Sequence, residues 1–243
     1  MQGNKLKQLS HLQKNKIFSS FIQVFAVIVI PISVLLTYER INDSHYFPIS
    51  TVRISGNLTN IESEDIEKLI KPVLKKNGYF TLNLTQVQNI LNTLVWVKDV
   101  NVRKVWPAEV QISIVENQAI AKWRESSLLN ADGEIFKPLY LTPDLPVIHG
   151  NDGRAKELLA TYLYANSIIK KSGTSIRKIE ENDRRSIKLY LDNHIVIHSG
   201  DTQELNSNLQ SFVVAYNLFD TTLKDNISYI DLRYPNGFSV GWK

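Results

Sequence analysis

Metal binding and acid–base catalysis need clustered donors, and the donors of this chain are scattered. The five histidines are His11, His45, His149, His194 and His198. Only His194 and His198 are close in sequence. On a strand they share a face but sit ~13 Å apart at ~3.3 Å per residue, too far to hold one ion. The chain has no cysteine, which excludes a thiolate nucleophile, a Cys-ligated zinc and a disulfide framework. Its ten glycines form no GxSxG, GxGxxG or GxxxxGK pattern, and HExxH is also missing. Aspartates and glutamates occur singly or in the first turns of predicted helices, where they offset the helix dipole. Asn57, Asn83 and Asn226 each open an Asn-x-Thr/Ser triplet. These would accept glycans in a eukaryotic secretory protein; in an Asn-rich chain they read as chance matches. The expectation is a non-catalytic binding protein with no cofactor and no metal.

The charge distribution points to a membrane. The formal net charge is +4, and residues 1–16 carry Lys5, Lys7, Lys14 and Lys16, with no acid before Glu39. Beyond that tail the chain is electrically balanced, so its basicity is not that of a nucleic-acid-binding surface. From Ile17 to Tyr38 no residue is charged and most are Ile, Val, Leu, Phe or Ala. At about 1.5 Å rise per residue the run spans roughly 33 Å, close to the ~30 Å hydrocarbon core. Pro31 should kink such a helix, which a membrane helix accepts more readily than a soluble one. A lysine-rich tail stays cytoplasmic, which places residues 39–243 on the far side. The rival reading is a cleaved leader on a secreted enzyme. Against it, the run is longer than a 7–15-residue leader core, and Leu35–Glu39 offers no small-x-small cleavage site.

Beyond a polar connector ending at Pro48, Val52 and Ile54 alternate as a short strand stopped by Gly56. Ile66, Leu69, Ile70, Val73 and Leu74 recur at helical spacing, with Asn60 or Ser63 as the expected N-cap and Gly78 as the stop. A second helix is expected over about Thr85–Thr93. The period then falls to two, giving strands through Val97–Val105 and Val110–Val115 around the turn Trp106-Pro107-Ala108-Glu109. This β-α-α-β-β order makes a small α+β unit.

A second block follows. Ala119–Trp123 and Ser127–Leu129 read as a hairpin, with a further turn at Asp132-Gly133. A helix is expected over about Asp152–Lys170, and strands at Ile176–Ile179, Ser186–Leu191 and His194–His198. Asp201 with Glu204 forms a capping box for a helix through Leu218. The last strands are Ile227–Tyr234 and Phe238–Trp242 around Pro235-Asn236-Gly237, where Asn-Gly is a strong hairpin signal. Phe238, Val240 and Trp242 alternate at the C-terminus with no later strand in the sequence to cover them, leaving an edge that invites a partner. Tyr234 and Trp242 beside Arg233 have the composition of an interaction hot spot, the alternative being that both rings pack in the core.

The run Trp96-Val97-Lys98-Asp99-Val100-Asn101-Val102-Arg103-Lys104-Val105-Trp106-Pro107, with Val110–Glu116 after it, resembles the end of the POTRA (polypeptide-transport-associated) domain of the FtsQ/DivIB family of bacterial division proteins. Ser228–Tyr234 and Val240-Gly241-Trp242 resemble the family's C-terminal signature. Phe47–Ser50 and Ile120–Trp123 also fit, so the resemblance covers nearly the whole chain. Departures are Val95, where relatives often carry proline, and Pro235-Asn236 in place of a more acidic or serine-containing turn. The resemblance implies a cytoplasmic tail (1–16), a transmembrane helix (17–38), a connector (39–47), a POTRA domain (48–117) and a mixed β-sheet domain with two helices (118–243). It further implies an essential, non-enzymatic septal scaffold of the inner membrane, linking early and late division proteins. Such a scaffold binds the FtsB/FtsL complex by β-strand addition. The implied contact residues for FtsB are Arg233, Tyr234, Asn236, Gly237 and Trp242, with Arg184 and Arg185 facing acidic partner residues. FtsK, FtsW, FtsI and FtsN would contact the POTRA and membrane segments. The competing reading is a POTRA-bearing export or outer-membrane assembly factor, which usually continues into a long β-barrel.

Overall fold

The computed structural model describes residues 25, 27–41, 43–141, 144–234 and 237–243. The chain divides into two compact units, Met1–Glu116 and Asn117–Lys243. Among the described residues no helix is long and apolar enough to cross a membrane. The expected tail (1–16) and residues 17–24 and 26 of the expected span lie outside the described residues. The remainder of that span joins a helix, α1 (described residues 27–41), which contains Pro31.

The first unit continues with β1 (Thr51–Ser55), α2 (Ser63–Lys76), α3 (Leu84–Leu91), β2 (Val97–Val105) and β3 (Glu109–Glu116). The strands form a sheet in the order β1-β3-β2, with β1 parallel and β2 antiparallel to β3. Alternation decides the core. Val100 and Val102 on β2, and Val110, Ile112 and Ile114 on β3, all turn to one face. There they bury against Ile66 and Ile70 of α2 and Val87 and Leu91 of α3. The N-terminus of α2 differs from expectation. Glu62 stands at the cap and makes no side-chain cap bond. Asn60 is engaged elsewhere: its backbone and side-chain nitrogens donate to Glu116 Oε1 at 2.7 and 2.6 Å, while Thr59 N donates to Oε2 at 2.6 Å. The carboxylate at the end of β3 thus ties down the loop and uses the residue that would otherwise have capped the helix.

The second unit is a nine-stranded sheet of order β12-β11-β10-β9-β8-β7-β4-β5-β6. Its strands are β4 (Ala119–Trp123), β5 (Ser127–Asn130), β6 (Ile135–Phe136), β7 (Val147–His149), β8 (Ile176–Glu181), β9 (Ile187–Leu191), β10 (Val196–Ser199), β11 (Ile227–Asp231) and β12 (Ser239–Trp242). Two helices, α4 (Ala155–Ile169) and α5 (Thr202–Asn217), lie on one face and bury Leu158, Leu159, Phe212 and Tyr216 against Ile148, Ile179, Leu189, Ile197 and Ile230. A short α6 (Thr221–Asp225), capped by Asp220, leads into β11. The Asp201 cap of α5 forms as expected, its carboxylate accepting from Gln203 N at 2.9 Å and Glu204 N at 3.0 Å.

Two sequence expectations change here. His194 is not on a strand but in the β9–β10 turn at φ +71°, so it shares no strand face with His198. The strand expected to reach Tyr234 ends at Asp231, because the Asp231 carboxylate turns back onto the following backbone. Three elements have no counterpart among those expectations: β6, β7 and α6. Three-residue β7 is too short to show a period, yet it joins the two halves of the sheet by pairing parallel to both β4 and β8.

Candidate functional site

Strand β12 terminates the sheet, paired to β11 and to no other strand among the described residues. Its inward side chains hold it in place: Phe238 meets the Phe212 ring of α5 edge-on at 5.5 Å, and Val240 packs on the same core. On the opposite face Gly241 lies under the Tyr229 ring, where a Cβ would come within 2.1 Å of a ring carbon. A glycine inside a strand often marks such a close approach, a signal for Gly241 that the sequence reading did not use.

The backbone of β12 has a definite polarity. Lys243 N donates to Asn226 O at 2.8 Å, and a register shift between Ile227 and Tyr229 makes Ser228 the extra residue on β11, leaving β12 itself regular. In an antiparallel ladder successive residues turn their N–H and C=O groups alternately inward and outward. Ser239, Gly241 and Lys243 therefore bond to β11, and Val240 and Trp242 present N–H and C=O to the open edge. Val240 is thus a candidate contact residue through its backbone.

Around this edge the predicted residues divide by position. Register places the end of β10, the end of β11 and the start of β12 at one end of the sheet, along with the β8–β9 turn. Arg184, Arg185, Arg233, Tyr234 and Gly237 all belong to that end and all are exposed. Arg184 and Arg185 lie in a turn built by Asn182, whose side-chain oxygen accepts from Arg184 N and Ser186 N at 3.0 and 2.9 Å; Arg185 has φ +63°. Counted in strand spacings, that turn is roughly 14–19 Å from β12. Trp242 belongs to the other end, three residues beyond Ser239, or ~10 Å along the strand. Asn236, with Pro235, lies outside the described residues.

Neither ring packs in the core. Tyr234 is 54% exposed and Trp242 52% exposed. Arg233 folds back on Asp231, donating from Nε to Oδ1 at 2.8 Å and from Nη2 to Oδ2 at 2.5 Å, with its backbone N also bonded to Oδ1 at 3.1 Å. The guanidinium holds the Asp231 carboxyl below the usual carboxylate range, and the carboxylate raises Arg233 in turn. Asn208 of α5 donates to Leu232 O at 2.8 Å, tying the strand end to the helix. The result is an open hydrogen-bonding edge with exposed rings at either end and cations at one end. It can accept an extended chain, and no group of three or more His, Cys, Asp or Glu that could hold a metal ion occurs among the described residues.

Comparison with known proteins agrees with the family resemblance. Residues 47–117 match the model of the FtsQ-type POTRA domain, and residues 121–233 match that of the C-terminal region of cell division protein FtsQ/DivIB. The chain is 31% identical over 209 residues to cell division protein FtsQ of Shewanella oneidensis, covering 85% of this chain and 79% of that one. It is 32% identical over 210 residues to FtsQ of Escherichia coli, covering 82% and 75% of the two chains. With FtsQ of Aliivibrio fischeri it shares 29% identity over 213 residues, covering 86% and 82%. The chain belongs to the FtsQ/DivIB family of cell division proteins.

Proposed function

We propose that this protein is a non-catalytic septal scaffold that captures the FtsB/FtsL complex by adding a partner strand to β12. The single observation carrying this reading is the outward-facing backbone of Val240 and Trp242 on the last strand of the nine-stranded sheet. An unpaired edge supplies main-chain donors and acceptors, and flanking side chains supply selectivity. Tyr234, Asn236, Gly237 and Trp242 flank the added strand. Arg233, held by Asp231, joins that contact set, and Arg184 and Arg185 face acidic residues that continue past the end of the sheet. Residues 17–38 anchor the chain once in the inner membrane, with the N-terminus cytoplasmic and both folded units periplasmic. FtsK, FtsW, FtsI and FtsN engage the POTRA unit and the membrane segment.

Affinity capture of FtsB/FtsL by the full-length chain carrying Tyr234→Asp, Gly237→Arg or Trp242→Asp tests the site. Loss of capture in variants with wild-type thermal unfolding is expected. Capture at the wild-type level by all three removes the edge as the binding site. Depletion should leave filamentous cells without septa. Mass spectrometry of the mature N-terminus tests the anchor, because a start beyond Leu36 rules it out.

A further inference from the structure

The first unit concentrates aromatic side chains at one end. Strand directions define that end: β1 begins there, β2 finishes there and β3 starts there, with Ser50 N donating to Ala108 O at 2.9 Å. Helix α2 runs down to the same end and α3 departs from it, so the α2–α3 turn lies beside the Trp106–Ala108 turn. Lys104 bridges the two by donating to Phe80 O at 3.0 Å. The chain leaving α1 is pinned here as well. Tyr79 N donates to Phe47 O at 2.8 Å, the Phe47 and Phe80 rings meet edge-on at 5.0 Å, and a Cβ at Gly78 would stand 2.9 Å from Ser44 Cα. The foot of α1, the connector and both turns therefore form one structure.

Its outward surface is unusual for a soluble domain. Trp106 is 78% exposed, and Tyr46, Phe47 and Phe80 are exposed beside it. Arg40 stacks over Tyr46 at 5.0 Å, and Lys75 and Lys76 close the last turn of α2. Glu39 and Asp43 are the acids of the connecting segment, and Asp43 accepts from His45 N at 2.8 Å. Alongside, a groove of about 550 Å³ combines Ile49, Val52 and Leu74 with Lys71, Lys75 and one acid, Glu67. Exposed aromatics next to cations, a few residues from the end of a membrane helix, match the chemistry of a bilayer interface, where rings seat at headgroup level and cations meet phosphate.

We infer that this end of the first unit docks on the membrane surface, seating Tyr46, Phe47, Phe80 and Trp106 among phospholipid headgroups with Arg40, Lys75 and Lys76 against their phosphates. The inference rests on the reading of residues 17–38 as a membrane anchor, since the covalent continuity with α1 selects the bilayer as the occupant. Docking of this kind fixes the height and tilt of the unit instead of leaving it to swing on its connector.

The absence of cysteine makes site-specific nitroxide labelling direct. Three single-cysteine variants of the full-length chain, Ser33→Cys, Ala108→Cys and Val115→Cys, are reconstituted in vesicles of phosphatidylcholine with phosphatidylglycerol. Collision rates with oxygen and with a water-soluble nickel chelate are then compared. Val115 lies toward the opposite end of β3, ~20 Å from Glu109, and serves as the aqueous reference. The expected result is a membrane signature at 33, an interfacial signature at 108 and an aqueous signature at 115. Adding Trp106→Ser to Ala108→Cys should shift the 108 label at least halfway to the aqueous reference. Tyr46→Ser and Phe80→Ser together should complete the shift, with circular dichroism confirming the fold. A 108 label as aqueous as 115, with 33 in the membrane, overturns docking and leaves the anchor standing. An aqueous label at 33 overturns the anchor itself and docking with it.

Discussion

Proline at position 240 tests the strand-addition reading most directly, because it separates the two sides of β12. The amide of Val240 points away from β11, so Val240→Pro removes a donor that the sheet does not use, and edge strands tolerate proline in that position. The side chain stays apolar and similar in size, preserving most of the packing of Val240 on the core. A partner strand loses one main-chain hydrogen bond, and its carbonyl is left facing a ring methylene. Leaving a buried acceptor unpaired costs about 1–3 kcal/mol. At about 1.4 kcal/mol per tenfold, the expected weakening is roughly 5- to 150-fold. Titration of the detergent-solubilised full-length protein with FtsB/FtsL measures it, and thermal unfolding reports on the fold. Ser239→Pro is the matched control. That amide faces β11, so its loss should lower the unfolding temperature as well as binding. Wild-type affinity in a folded Val240→Pro protein would refute the assigned edge polarity, as would a pair of variants that behave alike.

Arg154 and Glu181 form a largely buried pair, with Nε bonded to both carboxylate oxygens at 3.0 and 2.9 Å and the Glu181 side chain 3% exposed. Arg154→Ala should destabilise the second unit by about 3–5 kcal/mol, seen by chemical denaturation, because it strands a buried charge. Gly241→Ala should displace the Tyr229 ring, lowering the unfolding temperature by several degrees. Tyr229→Ala in the same chain should recover part of that loss by removing the obstructing ring. The depressed Asp231 carboxyl contributes stability above its unfolded value of ~3.9, and that contribution fades as pH falls through the lower folded value. Denaturation at stepped pH should accordingly show Asp231→Asn closing its gap to wild type only below about pH 4. A gap that closes between pH 6 and 8 would contradict the Arg233 pairing.

Local pattern carried far in this chain. Period-two and helical spacings place β1, α2, α3, β2 and β3 within a residue or two, because each buries one face against a neighbour nearby in sequence. Asp201 announces its helix, since a cap depends only on the adjacent backbone. Alternation likewise marks Phe238–Trp242 as a strand, and family motifs name the residues beside it.

Long-range pairing was not legible. Strand β7 reveals its place only when β4 and β8 flank it, and Asn60 lost its cap role to Glu116, 56 residues away. Tertiary structure alone decided that β12 ends the sheet, that Val240 rather than Gly241 offers its amide outward, and that Tyr234 and Trp242 stand exposed at opposite ends of the edge. It alone gathered Phe47, Phe80 and Trp106 at the foot of α1. The physical reason is common to all of these. Side-chain alternation is written in the order of residues, whereas the partner of a backbone edge is set by which strands the completed core brings together.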